Sequence, residues 1–401
     1  MRRGVALAAL TALALAAALG ALALRVGPPL FWERYLQAQL GAAAALPAWY
    51  HPRELVAGGN EAPAPRVAAE LEALEAHALE SAAAYAAAHD SLSLIVARND
   101  HIVFERYWQG SRFDTLADAG AFARLLPALL TGSAIAHRRI AWADEPLRYL
   151  LREWKGDARG AIPLRSLLQM SSGLAPPAAS RAPWSAAAQQ LFGTDVTAAV
   201  LAEPLAADPG HTYLVQRADP QLLSLVLERA TGERYAAYLS QALWRRIGAG
   251  DAWLYLDRPA GAAHADCCML ARQGDWIRVA ELLLGDGNYR GYEVIRPGWV
   301  KTMRTPAAAN TDFGMALRLS APAGGGKAPY IARDTYAVDG DDGNFLWLVP
   351  SLRLAVLRTA RRAHGDFDEA RIPNLIVSGA RDFLPAAARP GSDISGIVPG
   401  H

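Results

Sequence analysis

The feature that most constrains this chain is the stretch Asp114–Ile135, DTLADAGAFARLLPALLTGSAI. After a polar lead-in, Phe122, Leu125, Leu126, Leu129 and Leu130 recur at helical spacing and Gly132 follows. That pattern predicts a buried helix beginning near Gly120. A buried helix needs a body around it, and the composition supplies one: of 401 residues, 52% are hydrophobic and 20% charged. This is enough for a sizeable core in one large or two modest domains. The net charge of +1 provides no long-range field, which argues against nucleic acid as a partner.

Organisation follows from the ends. Arg2 and Arg3 precede an uncharged run from Val5 to Leu24, and twenty residues at about 1.5 Å each cover roughly 30 Å, the thickness of a bilayer core. Residues 1–26 are read as an uncleaved membrane anchor, with a cleaved signal, cut at Ala21-Leu22-Ala23, as the alternative. The flanking arginines favour an inside N-terminus and a body in the periplasm or outside the cell. Residues 27–65, rich in Pro, Gly and Ala with Phe31, Trp32, Tyr35, Trp49 and Tyr50, read as a membrane-proximal linker. Residues 66–384 form the main domain and 385–401 a frayed tail.

Within the body, Arg66–His89 reads as a helix. Ser91–Ala97 and Ile102–Trp108 form a hairpin around Asn99-Asp100. Gln221–Gly232, Tyr235–Gly248 and Ala252–Asp257 read as amphipathic helices. Tyr336–Thr359 supplies the last two strands, and a helix from Asn374 to Phe383 closes the fold. The only cysteines, Cys267 and Cys268, are adjacent and read as buried, reduced packing residues. Only His264 stands near them, so no metal site is expected there. The run Asp339–Asn344 is similar to a calcium loop but lacks the glutamate at the twelfth place. No metal and no cofactor are expected.

Several passages, namely Ile140–Leu151 (IAWADEPLRYLL), Ile162–Leu174 (IPLRSLLQMSSGL), Gln221–Gly232 (QLLSLVLERATG) and Ala265–Trp299 with its Cys-Cys pair, carry a resemblance. The chain resembles the serine β-lactamase and penicillin-binding-protein superfamily, especially its class C, esterase and 6-aminohexanoate-dimer-hydrolase branch. The resemblance implies a β-lactamase/transpeptidase-like α/β (α+β) fold: an antiparallel sheet flanked by helices, with a mostly helical region inserted at about 133–260. It also implies three catalytic motifs. The nucleophile motif Ser-x-x-Lys falls on Ala121 and Arg124. The Tyr-x-Asn motif falls on Val215, Gln216 and Arg217, with Tyr213 two residues early. The Lys-Thr-Gly or His-x-Gly motif falls on Asp341, Asp342 and Gly343. By the same resemblance Ser171 and Ser172 shape a turn.

Alanine carries no nucleophilic atom, and arginine, with a pKa above about 12, cannot serve as a base. A shifted alignment does not restore the motif, because the three lysines, Lys155, Lys301 and Lys327, follow Arg152, Gly298 and Gly324 at that spacing. The expectation is a pseudoenzyme that binds a small molecule, peptide or envelope protein. The alternative is an amide or ester hydrolase with a changed mechanism, in which Asp341 or Asp342 activates water. Persisting family geometry would bring Arg124, Arg217, Asp341 and Asp342 into one cleft, held shut by ion pairs or suited to a zwitterionic ligand.

Overall fold

The computed structural model describes residues 25–39, 50–118, 120–178, 182–321, 328–340, 343–361 and 365–383, with Gly20 and Ser180. In chain order the strands are β1 (Arg53–Val56), β2 (Ser91–Arg98), β3 (His101–Tyr107), β4 (Leu116–Asp118), β5 (Ala252–Tyr255), β6 (Met269–Arg272), β7 (Asn288–Tyr289), β8 (Tyr292–Glu293), β9 (Tyr336–Asp339), β10 (Phe345–Val349) and β11 (Leu354–Ala360). Five of them make an antiparallel sheet in the order β3-β2-β11-β10-β9.

Both faces of that sheet are covered, which is why its strands read as almost unbroken apolar runs. Side chains alternate across a strand. Leu94, Val96, Trp347, Val349, Leu354 and Val356 therefore enter one core, with Leu79, Ala82 and Ala86 of the Ala76–Ala88 helix and Ile372 and Ile376 of the Arg371–Ser378 helix. Ile95, Ala97, Leu346, Leu348, Ala355 and Leu357 face the other, larger core, built on the Leu125–Ala136, Ala218–Thr231 and Gln273–Leu284 helices. The β2–β3 turn places Asn99 and Asp100 at φ 49° and 66°, the doubly left-handed geometry of a type I′ hairpin.

A second sheet, β1-β5-β6-β4, lies outside the sequence reading. Ala252–Tyr255 is a strand, not a helix, because it is too short to complete turns and pairs with β1 and β6. Arg66–His89 resolves into a short 3-10 turn at Ala69–Glu72 and the Ala76–Ala88 helix, since Ala73 at φ 56° breaks the run. Three strands, not two, occupy Tyr336–Thr359.

The passage read as a linker is also corrected. Pro29–Gln39 is a helix and Arg53–Val56 a strand of the second sheet. Arg34 is fully buried and donates to the carbonyls of Leu256 and Asp257, each at 2.9 Å, as well as to those of His51, Phe192 and Gly193. Its guanidinium lies 4.2 Å from the centre of the Tyr50 ring. Burial pulls the Arg34 pKa down, but nearby Tyr50 and Asp257 oppose the fall. The Tyr50 hydroxyl donates to the Leu191 carbonyl at 2.8 Å and sits 2.8 Å from Nε2 of His264. With its one proton so used, Tyr50 accepts from His264, which fixes the tautomer. This N-terminal strap is integral to the body.

The run Val5–Leu24, apart from Gly20, and the tail 385–401 lie outside the described residues. No helix among the described residues is long and apolar enough to cross a membrane.

Candidate functional site

The site begins where Asp118 accepts the backbone N–H of Gly120 at 2.9 Å. Gly120, at φ 50°, turns the chain into a 3-10 segment, Gly120–Arg124, that runs on as the Leu125–Ala136 helix. Pro127 falls in the first turn, where its missing N–H breaks no intrahelical bond. Gly132 is needed for a close approach, since a Cβ there would lie 2.4 Å from the Trp299 ring. Trp299 in turn donates to the Ala128 carbonyl at 3.1 Å, locking the helix in place.

Ala121 is 2% exposed. Arg124 folds back on the same turn: Nε donates to the Ala121 carbonyl at 3.1 Å and Nη2 to the Asp339 carbonyl, on β9, at 3.3 Å. Met170, Val215, Phe313, Ala316 and Val338 close around them, leaving about 10 Å³ of free space. That holds about one water molecule. Tyr213 lies outside this lining, its ring 4.9 Å from that of Phe313. Burial, with Asp339 adding to it, pushes its pKa up to about 12, so the phenol stays protonated.

The four charged candidates do not form one described group. Arg124 lines the cavity, whereas Arg217 does not; it pairs with Asp266 and lies 3.5 Å from the Cys267 sulfur. Asp341 and Asp342 lie outside the described residues. The acidic residue that does line the cavity is Asp339, whose carboxylate Arg318 holds at 2.6 Å while also bonding Glu369 at 2.8 Å. Gly343, at φ 78°, accepts from Arg358 through its carbonyl. Arg358 is fully buried, also donates to Ser91 Oγ at 2.8 Å and to the His89 carbonyl, and burial draws its pKa down to about 10. Its sequence signal was an arginine inside a continuous apolar strand.

Asp219 was also missed. It is fully buried, and Gln216 Nε2 bridges it, at 3.0 Å, to Ser172 Oγ at 2.9 Å. Burial pushes its carboxyl up to about 7, against the pull of the Ser172 and Gln216 hydrogen bonds. Ser171 and Ser172 are 2% and 1% exposed. They serve the turn, Ser171 accepting from the Gly210 N–H through its carbonyl at 2.7 Å. Cys267 and Cys268 are buried as expected, but they are joined to each other as a disulfide instead of being reduced. Cys268 adopts φ 74°, a left-handed conformation uncommon for a residue with a side chain. No group of three or more His, Cys, Asp or Glu that could hold a metal occurs among the described residues.

The antiparallel five-stranded sheet, with the Leu125–Ala136 helix in the core on one of its faces, belongs to a protein of the serine β-lactamase and penicillin-binding-protein class. The family model described as Beta-lactamase matches residues 71–381, and the chain belongs to that family. A stretch of 101 residues is 34% identical to the 6-aminohexanoate-dimer hydrolase of Paenarthrobacter ureafaciens; it covers 24% of this chain and 25% of that protein, so it spans about a quarter of the relative's length. Among solved structures, the "Putative 6-aminohexanoate-dimer hydrolase from Bacillus anthracis" superposes with a TM-score of 0.69 at 15% identity, over 88% of this chain and 95% of that one. A penicillin binding protein from Bacillus halodurans gives 0.56 at 15% identity, over 75% and 97%. At such identities the likeness is one of fold.

Proposed function

We propose that this protein is a β-lactamase-related pseudoenzyme, held at the cell envelope by its N-terminal apolar segment and acting through binding in place of covalent acyl transfer. One observation carries the reading. The turn that would present the nucleophile offers Ala121, and Arg124 fills the place of the base with its guanidinium tied to two backbone carbonyls. Acyl transfer by a side chain needs a nucleophile, a base to take its proton and donors for the oxyanion. The first two are absent from this turn, and the residual space of about 10 Å³ admits water but no acyl group. The envelope assignment rests on the Val5–Leu24 run and its flanking arginines.

The full-length protein, incubated with a fluorescent penicillin and with a fluorophosphonate, should show no covalent adduct by intact mass. It should not turn over a p-nitrophenyl ester either. A stoichiometric adduct would overturn the reading, and peptide mapping would then name the nucleophile. Turnover without an adduct would instead favour water activation by Asp341 or Asp342.

A further inference from the structure

Beside the closed cavity, on the same face of β9, lies an open one of about 620 Å³. Tyr336 and Val338 share that face, as the alternation of a strand requires. Val338 lines the closed cavity and Tyr336 the open one. A volume of this size suits a small organic ligand.

Three cations line the open cavity: Lys301, Arg304 and Arg333. Among the described residues none of their side chains has a carboxylate within ion-pair distance or a hydrogen-bond acceptor. Some arginines elsewhere on the surface are paired, as in Arg106–Glu80, Arg165–Asp144, Arg229–Glu153 and Arg234–Glu54, but here three unpaired cations share one concavity. The two carboxylates in the cavity wall are already engaged. Asp286 accepts the N–H groups of Gly298 and Lys301 at 2.9 and 3.0 Å. Asp334 accepts the N–H and hydroxyl of Ser351 at 2.6 and 3.0 Å. Arg304 is poised over the Tyr336 ring, 4.5 Å from its centre. Tyr336 itself is 1% exposed and its hydroxyl has no hydrogen-bond partner among the described residues. A buried hydroxyl without a partner is costly, and three cations against two carboxylates leave the lining with a net positive charge that favours an anion.

We propose that this cavity is a binding site for an oxyanion, phosphate or carboxylate, carried on an apolar body. Arg304 and Arg333 grip the anion with Lys301 adding charge, the Tyr336 hydroxyl donates to it, and Leu283, Val300 and Leu319 receive the apolar part. The site is separate from the closed cavity and does not depend on whether that cavity is catalytic.

The test is calorimetric titration of the full-length protein with phenyl phosphate, inorganic phosphate and monomeric dihexanoyl phosphatidylglycerol. Phenyl phosphate should bind one to one and about tenfold more tightly than inorganic phosphate, because only it fills the apolar floor. Arg304→Gln and Arg333→Gln should each weaken binding about tenfold or more. Tyr336→Phe should weaken it several-fold with an unchanged thermal midpoint. Arg139→Gln, in a different basic depression, should leave it unchanged. Tighter binding of the phosphatidylglycerol than of phenyl phosphate identifies a lipid headgroup as the source of the anion, and the reverse identifies a soluble acid. Absence of saturable binding to every probe would overturn the site, as would an Arg333→Gln variant, exposed and free of folding consequences, with the affinity of the parent.

Discussion

Two arginines, Arg124 in the closed cavity and Arg34 in the N-terminal strap, are both held by backbone carbonyls and not by carboxylates, yet their settings differ. Arg34 has no exposure and five carbonyl acceptors drawn from three stretches of chain. Arg124 is half-buried and has two. A fully buried guanidinium must have its donors satisfied, so the strap and the body are made to fit one another. A guanidinium at the edge of a cavity can turn to water, so the residues around it are free to change. The strap is a point of architecture, whereas the cavity is a point that tolerates a change of side chain.

The largest expected effect lies in the strap. Arg34→Met keeps much of the volume but leaves buried carbonyls without donors, and it should cost about 3–5 kcal/mol in urea unfolding. The matching Arg124→Met should cost under about 1 kcal/mol, because its two carbonyls gain access to water. Equal losses for the two variants would break the contrast.

The two regions also differ in how far the sequence disclosed them. The hairpin at Asn99-Asp100 and the helical segment from Gly120 were legible, because local turn chemistry and apolar spacing fix them. The strap was not. Pro29–Gln39 carries a weak apolar stripe, and β1 is four residues long; both take their structure from partners more than 130 residues away, such as Phe192, Leu256 and β5. Tertiary pairing decides such segments, and no local period records it. Arg217 misled for the same reason. Its place in the motif suggested the cleft, but Asp266, supplied by a distant turn, draws it away.

An intermediate effect comes from pH, and here the two regions have opposite signs. Beside the cavity, the Asp219 carboxyl is raised to about 7 from 3.8. The folded state therefore holds a proton that the unfolded chain releases, and stability is lost as pH rises through that window. Against the strap, where His264 meets Tyr50, burial and the nearby Arg34 and Arg217 push the His264 pKa down to about 3 from 6.5. There the unfolded chain binds the extra proton, so stability is lost as pH falls. Asp219→Asn, neutral throughout, should remove the first loss and gain a few kcal/mol over the parent at pH 8, while the two match near pH 4. Chemical denaturation at both pH values checks this. A gain of the same size at pH 4 would mean that the carboxyl does not titrate in the folded protein.

The smallest effect is expected from installing the catalytic pair that the family resemblance places at Ala121 and Arg124. Ala121→Ser with Arg124→Lys restores a hydroxyl and an amine at the spacing that the family uses, and neither change adds much volume. Stability should move by less than about 1 kcal/mol, because one small hydroxyl enters a space that already admits a water. Acylation by a fluorescent penicillin should nevertheless remain absent by intact mass. The lysine would face Val215 in place of a phenol, and Phe313 and Met170 would still occupy the ground an acyl group needs. A nucleophile without room for its substrate gains nothing from proximity, since the reacting atoms never approach to about 3–3.5 Å. Labelling of this double variant would show instead that the cavity opens in solution and that only the two side chains silence it. The cavity would then be, like the strap, a piece of fixed architecture, but one whose closure is set by two side chains.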